Sequence, residues 1–499
     1  MSSNGASKFT PGIPAKENII VDGVLRYPAI GSKALIVGAG IAGMMAALEC
    51  WRKGIEVEII EKAATNAPFG DGVLIGPSAF TTFHHYPSMI KEYEEISHDV
   101  QLSFAGRDGT PMVSLQEFEW NREGVALTSA YPLRIKSLLG RRSFTEMLLS
   151  QCKRLGIPIT YGVTIENYEE DISKKNATAV ALDGQRYTAD IVVASDGLGT
   201  KSHALTLGRP VRAFKTGLVV YRGMYSTDRL KDAPVAGDFI RNLQRPVLLA
   251  LVANNIHCIL AFTKTDVILG ITTEEEDDIN TTDSWSSTVS NATLLSLLPE
   301  PETWSPLLRE AIHHAPDQSI VRWSLCFRNP QPCWTSTGGH VIQLGDSAHS
   351  FLPTSANGAT QALEDALSLP ECLRLGGKEG LGVATKVHEL LRYQRVSLIQ
   401  HFGFVNIQDF HREFDQKALQ KYPLLLMGKW LWAHNAEKYA TDNFYKACAH
   451  LETGSPFENT NLPPGHKWSD WTVEDELAKQ KAGVLTMLEL KSNGDWSIV

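Results

Sequence analysis

The sequence predicts an α/β fold: a Rossmann-like domain assembled from separate pieces of chain, an inserted mixed β-sheet domain, and a helical C-terminal region. Three observations lead there. The stretch KALIVGAGIAGMMAALECWRKGIEVEIIEK, residues 33–62, reads as strand, glycine turn, helix and strand, a βαβ unit. Two later apolar runs, ADIVVASDG ending at Gly197 and the run Val341, Ile342, Leu344, each bring an Asp and a Gly to a strand's carboxyl end. Beyond residue 367 the hydrophobic spacing turns helical and stays so to about 450.

Residues 1–31 form a polar N-terminal extension ahead of the βαβ unit. The unit's helix carries Ala42, Gly43, Ala46 and Ala47, small enough to lie close on a sheet. Residues 82–136 hold strand-like pieces, with Asp108-Gly109 as a hairpin signal. Ser143 and Glu146 read as a capping box opening an amphipathic helix through Leu148, Leu149 and Cys152 that stops near Gly156. A hairpin near 177–188 follows. Residues 211–336 are strand-rich but interrupted by the acidic TTEEEDDINTTDSWSSTVS, which reads as an exposed loop or helix start. The expected organisation is one discontinuous domain from 32–81, 137–210 and 337–385, a second from 82–136 and 211–336, and a helical region and tail over 386–499.

Composition narrows the function classes. The 499 residues are 43% apolar and 21% charged, ordinary for a globular protein. A formal charge of -9 from 56 acidic and 47 basic side chains, without long runs of either sign, argues against nucleic acid. The seven cysteines form no CxxC pair, so neither a disulfide framework nor a metal site is expected. No signal-peptide core or membrane-length apolar run occurs, and a cytoplasmic protein is expected.

The motifs converge on one ligand. Gly38, Gly40 and Gly43 permit a tight turn and close backbone approach at a helix N-terminus, while Glu61 ends the next strand, where it can accept hydrogen bonds from a ribose. Together they imply a dinucleotide. Asp196 and Gly197 stand at a second strand end, where ligands of open sheets sit. In GGHVIQLGDSAHSFLPTSANGATQALEDA, residues 338–366, a strand lying beside the first would bring Gly345 and Asp346 to a sugar-like chain. Pro353 would fix a wall for a flat ring, and Asn357, Gly358 and Ala359 would offer backbone N–H groups at a helix start to negative charge. These features suit the ribityl chain and isoalloxazine of a flavin, so the ligand is expected to be FAD.

The order Gly38–Gly43 with Glu61, Arg141-Arg-Ser-Phe144, Asp196-Gly197 and Gly345-Asp346 with His349, Pro353 and Asn357-Gly358 resembles that of group A FAD-dependent monooxygenases. These are relatives of para-hydroxybenzoate and salicylate hydroxylases; the Trp430-Leu-Trp432 and NLPPGHKW segments look like those of fungal secondary-metabolism members. The resemblance implies a Rossmann-like FAD-binding domain with an inserted substrate domain. It also implies transient NADPH or NADH, dioxygen, and a C4a-hydroperoxide that hydroxylates a phenolic or polyketide-like aromatic substrate. Lys62, Gly72 and Arg141 join the expected cofactor set. The chain departs from the family at Thr200 and His203, where a Ser and an Arg are usual, and at Asn357-Gly358, where Gln-Gly is commoner.

On the substrate side, Tyr221 and Arg222 follow an apolar strand, and the arginine could hold a deprotonated phenol. His84, His85 and Tyr131 are weaker candidates, and His349 is expected to order the flavin loop. The Trp430–His434 stretch lacks the Ile-Pro of halogenases. Epoxidation of an alkene or indole, a non-oxygenating flavin reductase, and a redox-sensing flavoprotein remain alternatives.

Overall fold

A computed structural model describes residues 17–65, 71–123, 125, 134–275, 287–411 and 427–497. A hairpin of β1 (Ile19–Val21) and β2 (Val24–Arg26) precedes β3 (Lys33–Val37), α1 (Ile41–Arg52) and β4 (Glu56–Glu61). Next come β5 (Gly72–Leu74), α2 (Pro87–Ile96), β6 (Ser97–His98), β7 (Gln101–Gly106), β8 (Pro111–Gln116), β9 (Leu138–Gly140) and α3 (Arg141–Arg154). Strands β10 (Ile159–Tyr161), β11 (Ile165–Asp171), β12 (Asn176–Ala181), β13 (Arg186–Ala189) and β14 (Ile191–Ala194) lead to the short α4 (His203–Thr206). The middle of the chain supplies β15 (Phe214–Ser226), α5 (Ala236–Arg241), β16 (Val247–Ala253), β17 (Ile256–Phe262), β18 (Asp266–Glu274) and β19 (Thr288–Val289). It ends with α6 (Asn291–Ser296), α7 (Pro306–His314), β20 (Ile320–Phe327) and β21 (Val341–Gln343), before the long helices α8 (Gly358–Gly376) and α9 (Leu381–Phe410).

The first sheet has the order β10-β4-β3-β14-β21, all parallel. Its register pairs Val37 with Ala194 and Ala194 with Gln343, so the loops that start at Gly38, Ser195 and Leu344 leave the sheet at the same level. The strand at 341–343 therefore lies one place further out than the sequence suggested, beside β14 and not beside β3. At Gly43 an added Cβ would stand 2.0 Å from the Gly38 carbonyl oxygen and 2.6 Å from Ser195 Oγ, so only glycine lets α1 sit this close to both strand ends.

The second sheet runs β19-β20-β15-β18-β17-β16-β7-β8 and is mixed, because β7 joins β16 in parallel. Alternation divides its residues. Tyr221, Leu251, Cys258, Leu269 and Ile271 pack with Leu308 and Ile312 of α7. Leu248, Ala250, Ile259, Ala261 and Ile268 turn the other way, into a cavity. Part of the acidic stretch is not loop: residues 272–274 complete β18, where strand pairing to β15 overrides the polar composition, and 276–286 lie outside the described residues. Helix α3 begins at Arg141 with Gly140 as its N-cap, three residues before the expected Ser143 cap, because β9 runs straight into it.

Helices α8 and α9 meet across a set of fully buried charges. Glu364 accepts from Arg395 Nε at 2.9 Å and from Ser78 Oγ at 2.7 Å, and it is also paired with Arg392. Asp365 accepts from Arg392 Nε at 2.8 Å, lies 2.6 Å from His349 Nε2, and takes the Gly345 amide at 3.1 Å. Burial opposes ionisation of Glu364, but the Arg395 and Arg392 guanidiniums outweigh it and hold the carboxyl below its ordinary range. Burial likewise works against Asp365, and His349 with Arg392 outweighs it in the same direction. At the far end of α8, burial of Glu371 is outweighed by Arg374 and Lys53, which bring its pKa down to about 2.

Two outcomes are expected. Arg392→Met leaves two buried carboxylates undercompensated, and a loss of about 3–5 kcal/mol in denaturant unfolding is expected. Carboxylates with depressed folded pKa stabilise the fold above their unfolded value near 4.5, so stability should be level at neutral pH. It should then fall as pH drops from about 4.5 toward 2, a window set by Glu371 with Glu364 and Asp365 continuing below it, as followed by circular dichroism.

Candidate active site

A cavity of about 760 Å³ runs from the carboxyl ends of the parallel sheet to the open face of the mixed sheet. Its first part is built by the three loops that the parallel register aligns. Gly38 has φ +106°, and a Cβ there would meet the Ser195 carbonyl oxygen at 2.5 Å, so the turn requires glycine. Gly40 caps α1, and a Cβ built on it would meet nothing within 4 Å; the space faces the helix N-terminus. This is the cradle a pyrophosphate needs. At the end of β4 the Glu61 carboxylate accepts the Ala39 amide at 2.7 Å and the Ala63 amide at 2.9 Å, each oxygen keeping a lone pair that suits a ribose hydroxyl. Lys62 lines the same end.

The second and third loops are tied to each other. Asp196 lines the cavity and accepts from Tyr168 Oη at 2.7 Å and Ser347 Oγ at 3.1 Å, and Ser347 Oγ accepts the Gly197 amide at 2.8 Å. Burial pushes the Asp196 carboxyl above its usual range. Asp346 is exposed in a run of buried neighbours because it points into the cavity, while Gly345, at φ +56°, packs against Ala42 and Ala362 and makes that turn. Pro353, Asn357, Gly358 and Ala359 line the cavity where α8 begins, and first-turn amides have no intrahelical acceptor. Asn357 Nδ2 is held by the Ser355 carbonyl at 2.7 Å, so its side chain fixes the turn.

Residues that the sequence reading missed complete the site. Asp71 precedes Gly72, and the pairing of Gly72 with Gly140 sets Asp71 beside Arg141, whose amide donates to the Asp71 carbonyl at 2.7 Å. The Asp71 carboxylate receives both Nε and Nη2 of Arg222. This ion pair joins the dinucleotide loops to the mixed sheet. Burial lowers the Arg141 pKa, against the charge of Asp346 nearby. Arg328, 1% exposed, donates to the Leu198 carbonyl at 2.7 Å and the Ser347 carbonyl at 3.0 Å, so one guanidinium spans both loops. It also lies 3.2 Å from His203, whose pKa burial and then Arg328 bring down to about 4. His203 is thus neutral, and a cation stands beside it from the residue that follows β20. Asp71 is the chain neighbour of the expected Gly72, whereas nothing local marks Arg328.

Tyr221 is corrected. Period-2 alternation sends Val220 and Arg222 into the cavity and turns Tyr221 to the opposite face, buried against the α7 side of the sheet. The His84 and His85 rings lie 3.8 Å apart, tilted by 44° and away from the cavity lining, and Tyr131 lies outside the described residues. His349 is buried against Asp365, where it holds the flavin-side loop.

The fold and this glycine-lined, carboxylate-flanked cavity define an FAD-binding flavoprotein, and the FAD binding domain family model matches residues 32–220. The chain belongs to the FAD-dependent monooxygenases of fungal secondary metabolism. It is 38% identical over 488 residues to the FAD-dependent monooxygenase fsr3 of Gibberella fujikuroi, covering 95% of this chain and 91% of that one. It is 35% identical to dmxR9 of Cryptosporiopsis sp., covering 99% and 96%. Among solved structures, CtdE in complex with FAD and a substrate matches at 25% identity with a TM-score of 0.75, covering 84% of this chain and 99% of that one. A salicylate hydroxylase substrate complex shares the fold at 20% identity and a TM-score of 0.64, covering 82% and 97%. Among the described residues no helix is long and apolar enough to cross a membrane, and no group of side chains could hold a metal ion.

Gly40→Val fills the space before α1 without a clash in the protein, and Asp346→Ala removes the carboxylate from the cavity. Both variants should fold, with FAD affinity lowered roughly tenfold or more, about 1.4 kcal/mol per decade. The ratio of flavin absorbance to protein absorbance after purification reads this, and full retention in both would remove the site assignment.

Proposed function

We propose that the protein uses NADPH or NADH and dioxygen to hydroxylate a phenolic or polyketide-like aromatic compound bound against the mixed sheet. One observation carries this reading: the dinucleotide cradle and the apolar sheet face line one continuous cavity, with the Asp71–Arg222 pair at their junction. Leu248, Ala250, Ile259, Ala261 and Ile268 offer a flat ring a dry surface. When bound, FAD supplies the reaction of its reduced ring with dioxygen. The chain's own groups orient and shield. Gly38, Gly40 and Gly43 admit the pyrophosphate, and Glu61, Arg141, Asp196 and Asp346 flank the remainder. Pro353 walls the ring site, and the amides of Asn357 to Ala359 stabilise negative charge there. Arg222, fixed in place by its two-nitrogen pairing with Asp71, brings its guanidinium to the substrate end of the cavity, where it would hydrogen-bond a phenolate more strongly than a phenol. On this reading residues 82–136 and 211–336 form the substrate-binding part.

The test is a screen of aromatic compounds for stimulated NADPH oxidation, with product masses checked for a gain of one oxygen. A gain on a phenol is expected. Oxidation of NADPH that never depends on an aromatic compound would overturn the reading, and a gain confined to alkenes or indoles would replace hydroxylation by epoxidation. Arg222→Ala should lower the fraction of NADPH oxidation coupled to product by severalfold; unchanged turnover and coupling would remove its substrate role.

A further inference from the structure

The cavity wall on the mixed sheet is apolar except at a few points, and most of those are occupied by protein partners. Arg222 is bound by Asp71. Glu119 accepts the Met427 amide at 2.6 Å, the Gly428 amide at 3.0 Å and Trp432 Nε1 at 3.1 Å, which makes it a clamp on the C-terminal segment. Glu117 is paired with Arg134 and Arg245. His257 differs. It lines the cavity from β17, is 3% exposed, and its Nδ1 lies 2.9 Å from His411 Nε2 at the end of α9. Its other nitrogen, Nε2, has no protein partner among the described residues.

Strand register fixes where this histidine stands. Arg222 pairs with Gly270, Gly270 with Ile259, and His257 is two residues along β17 on the same face. Two strand spacings across and two residues along give about 12 Å between the two Cα positions. Ile259 and Gly270 lie between them, a narrow apolar floor. Burial, with His411 beside it, pushes the His257 pKa well down, and burial lowers that of His411 to about 4, so both rings are neutral at physiological pH. A neutral pair shares one proton between Nδ1 and Nε2. With that proton on His411, His257 Nε2–H donates to a ligand oxygen; with it on His257, Nε2 accepts from a hydroxyl.

Building on the aromatic-substrate reading, we propose that His257 hydrogen-bonds a second hydroxyl or carbonyl at the end of the substrate away from Arg222, with His411 as the positioning residue that holds its ring. The site thereby selects a fused aromatic of at least two rings oxygenated at both ends, and disfavours single-ring phenols. The phenyl ring of Phe410, 4.8 Å from the His257 ring, closes the wall beside the pair.

The test titrates FAD-loaded enzyme with 2,6-dihydroxynaphthalene and with 2-naphthol, following the flavin absorbance, and measures NADPH oxidation with each. Wild type should prefer the dihydroxy compound about tenfold, the size of one neutral hydrogen bond. His257→Phe should retain FAD and bind both compounds alike, and His257→Gln should restore part of the preference. His411→Ala should raise KM for the dihydroxy compound while leaving 2-naphthol kcat unchanged. No preference in wild type, or a preference intact in His257→Phe, would overturn the proposal. If neither compound perturbs the flavin or stimulates oxidation, the aromatic-substrate reading fails with it; equal binding of both compounds by wild type sinks the histidine alone.

Discussion

Parallel register is the constraint on which the site depends. Strands β3, β14 and β21 come from residues more than a hundred positions apart, yet their pairing ends all three at one level. The loops carrying Gly38–Gly43, Asp196–Gly197 and Gly345–Asp346 all start from that line. A one-residue slip of β14 would turn its apolar residues to the wrong faces of the sheet and move Asp196 away from Ser347. The small residues at Ala42 and Gly43 serve the same end, since any larger side chain would lift the helix N-terminus from the strand ends it must approach.

A second layer of structure holds the loops once they are aligned, and it works through charge. Arg328 ties the 197–199 turn to the 345–347 turn, and Asp365 with His349 ties the latter to α8 and α9. These groups are buried, so each carries a desolvation cost that is offset only while its partners stay in place. The arrangement is correspondingly stiff. It makes the glycine-lined end of the cavity part of the core, in contrast to the other end, which is an apolar sheet face with sparse polar groups.

The junction between the two parts is narrow. Asp71 and Arg222 are 151 residues apart, and their two-nitrogen ion pair is a fixed point where the flavin side meets the mixed sheet. Glu119 plays a comparable part for the C-terminal segment, drawing the 427–432 stretch over the cavity through backbone amides. Both carboxylates act between segments that sequence separates widely, so neither stood out from its neighbours.

Local signals fixed the βαβ unit, the glycine turn, Glu61, the Asp–Gly strand ends and the helix start at Gly358, because each follows from conformational limits that a few adjacent residues impose. FAD was legible for the same reason: backbone approach and helix N-termini leave glycine and acid spacings that survive in one dimension. What the tertiary structure alone decided is which side chains meet. Tyr221 and Arg222 are neighbours in sequence, and only the packing of α7 on one face shows that the arginine enters the cavity and the tyrosine does not. Asp71, Arg328 and the His257–His411 pair depend on contacts between residues tens to hundreds of positions apart, and no local periodicity encodes such a meeting.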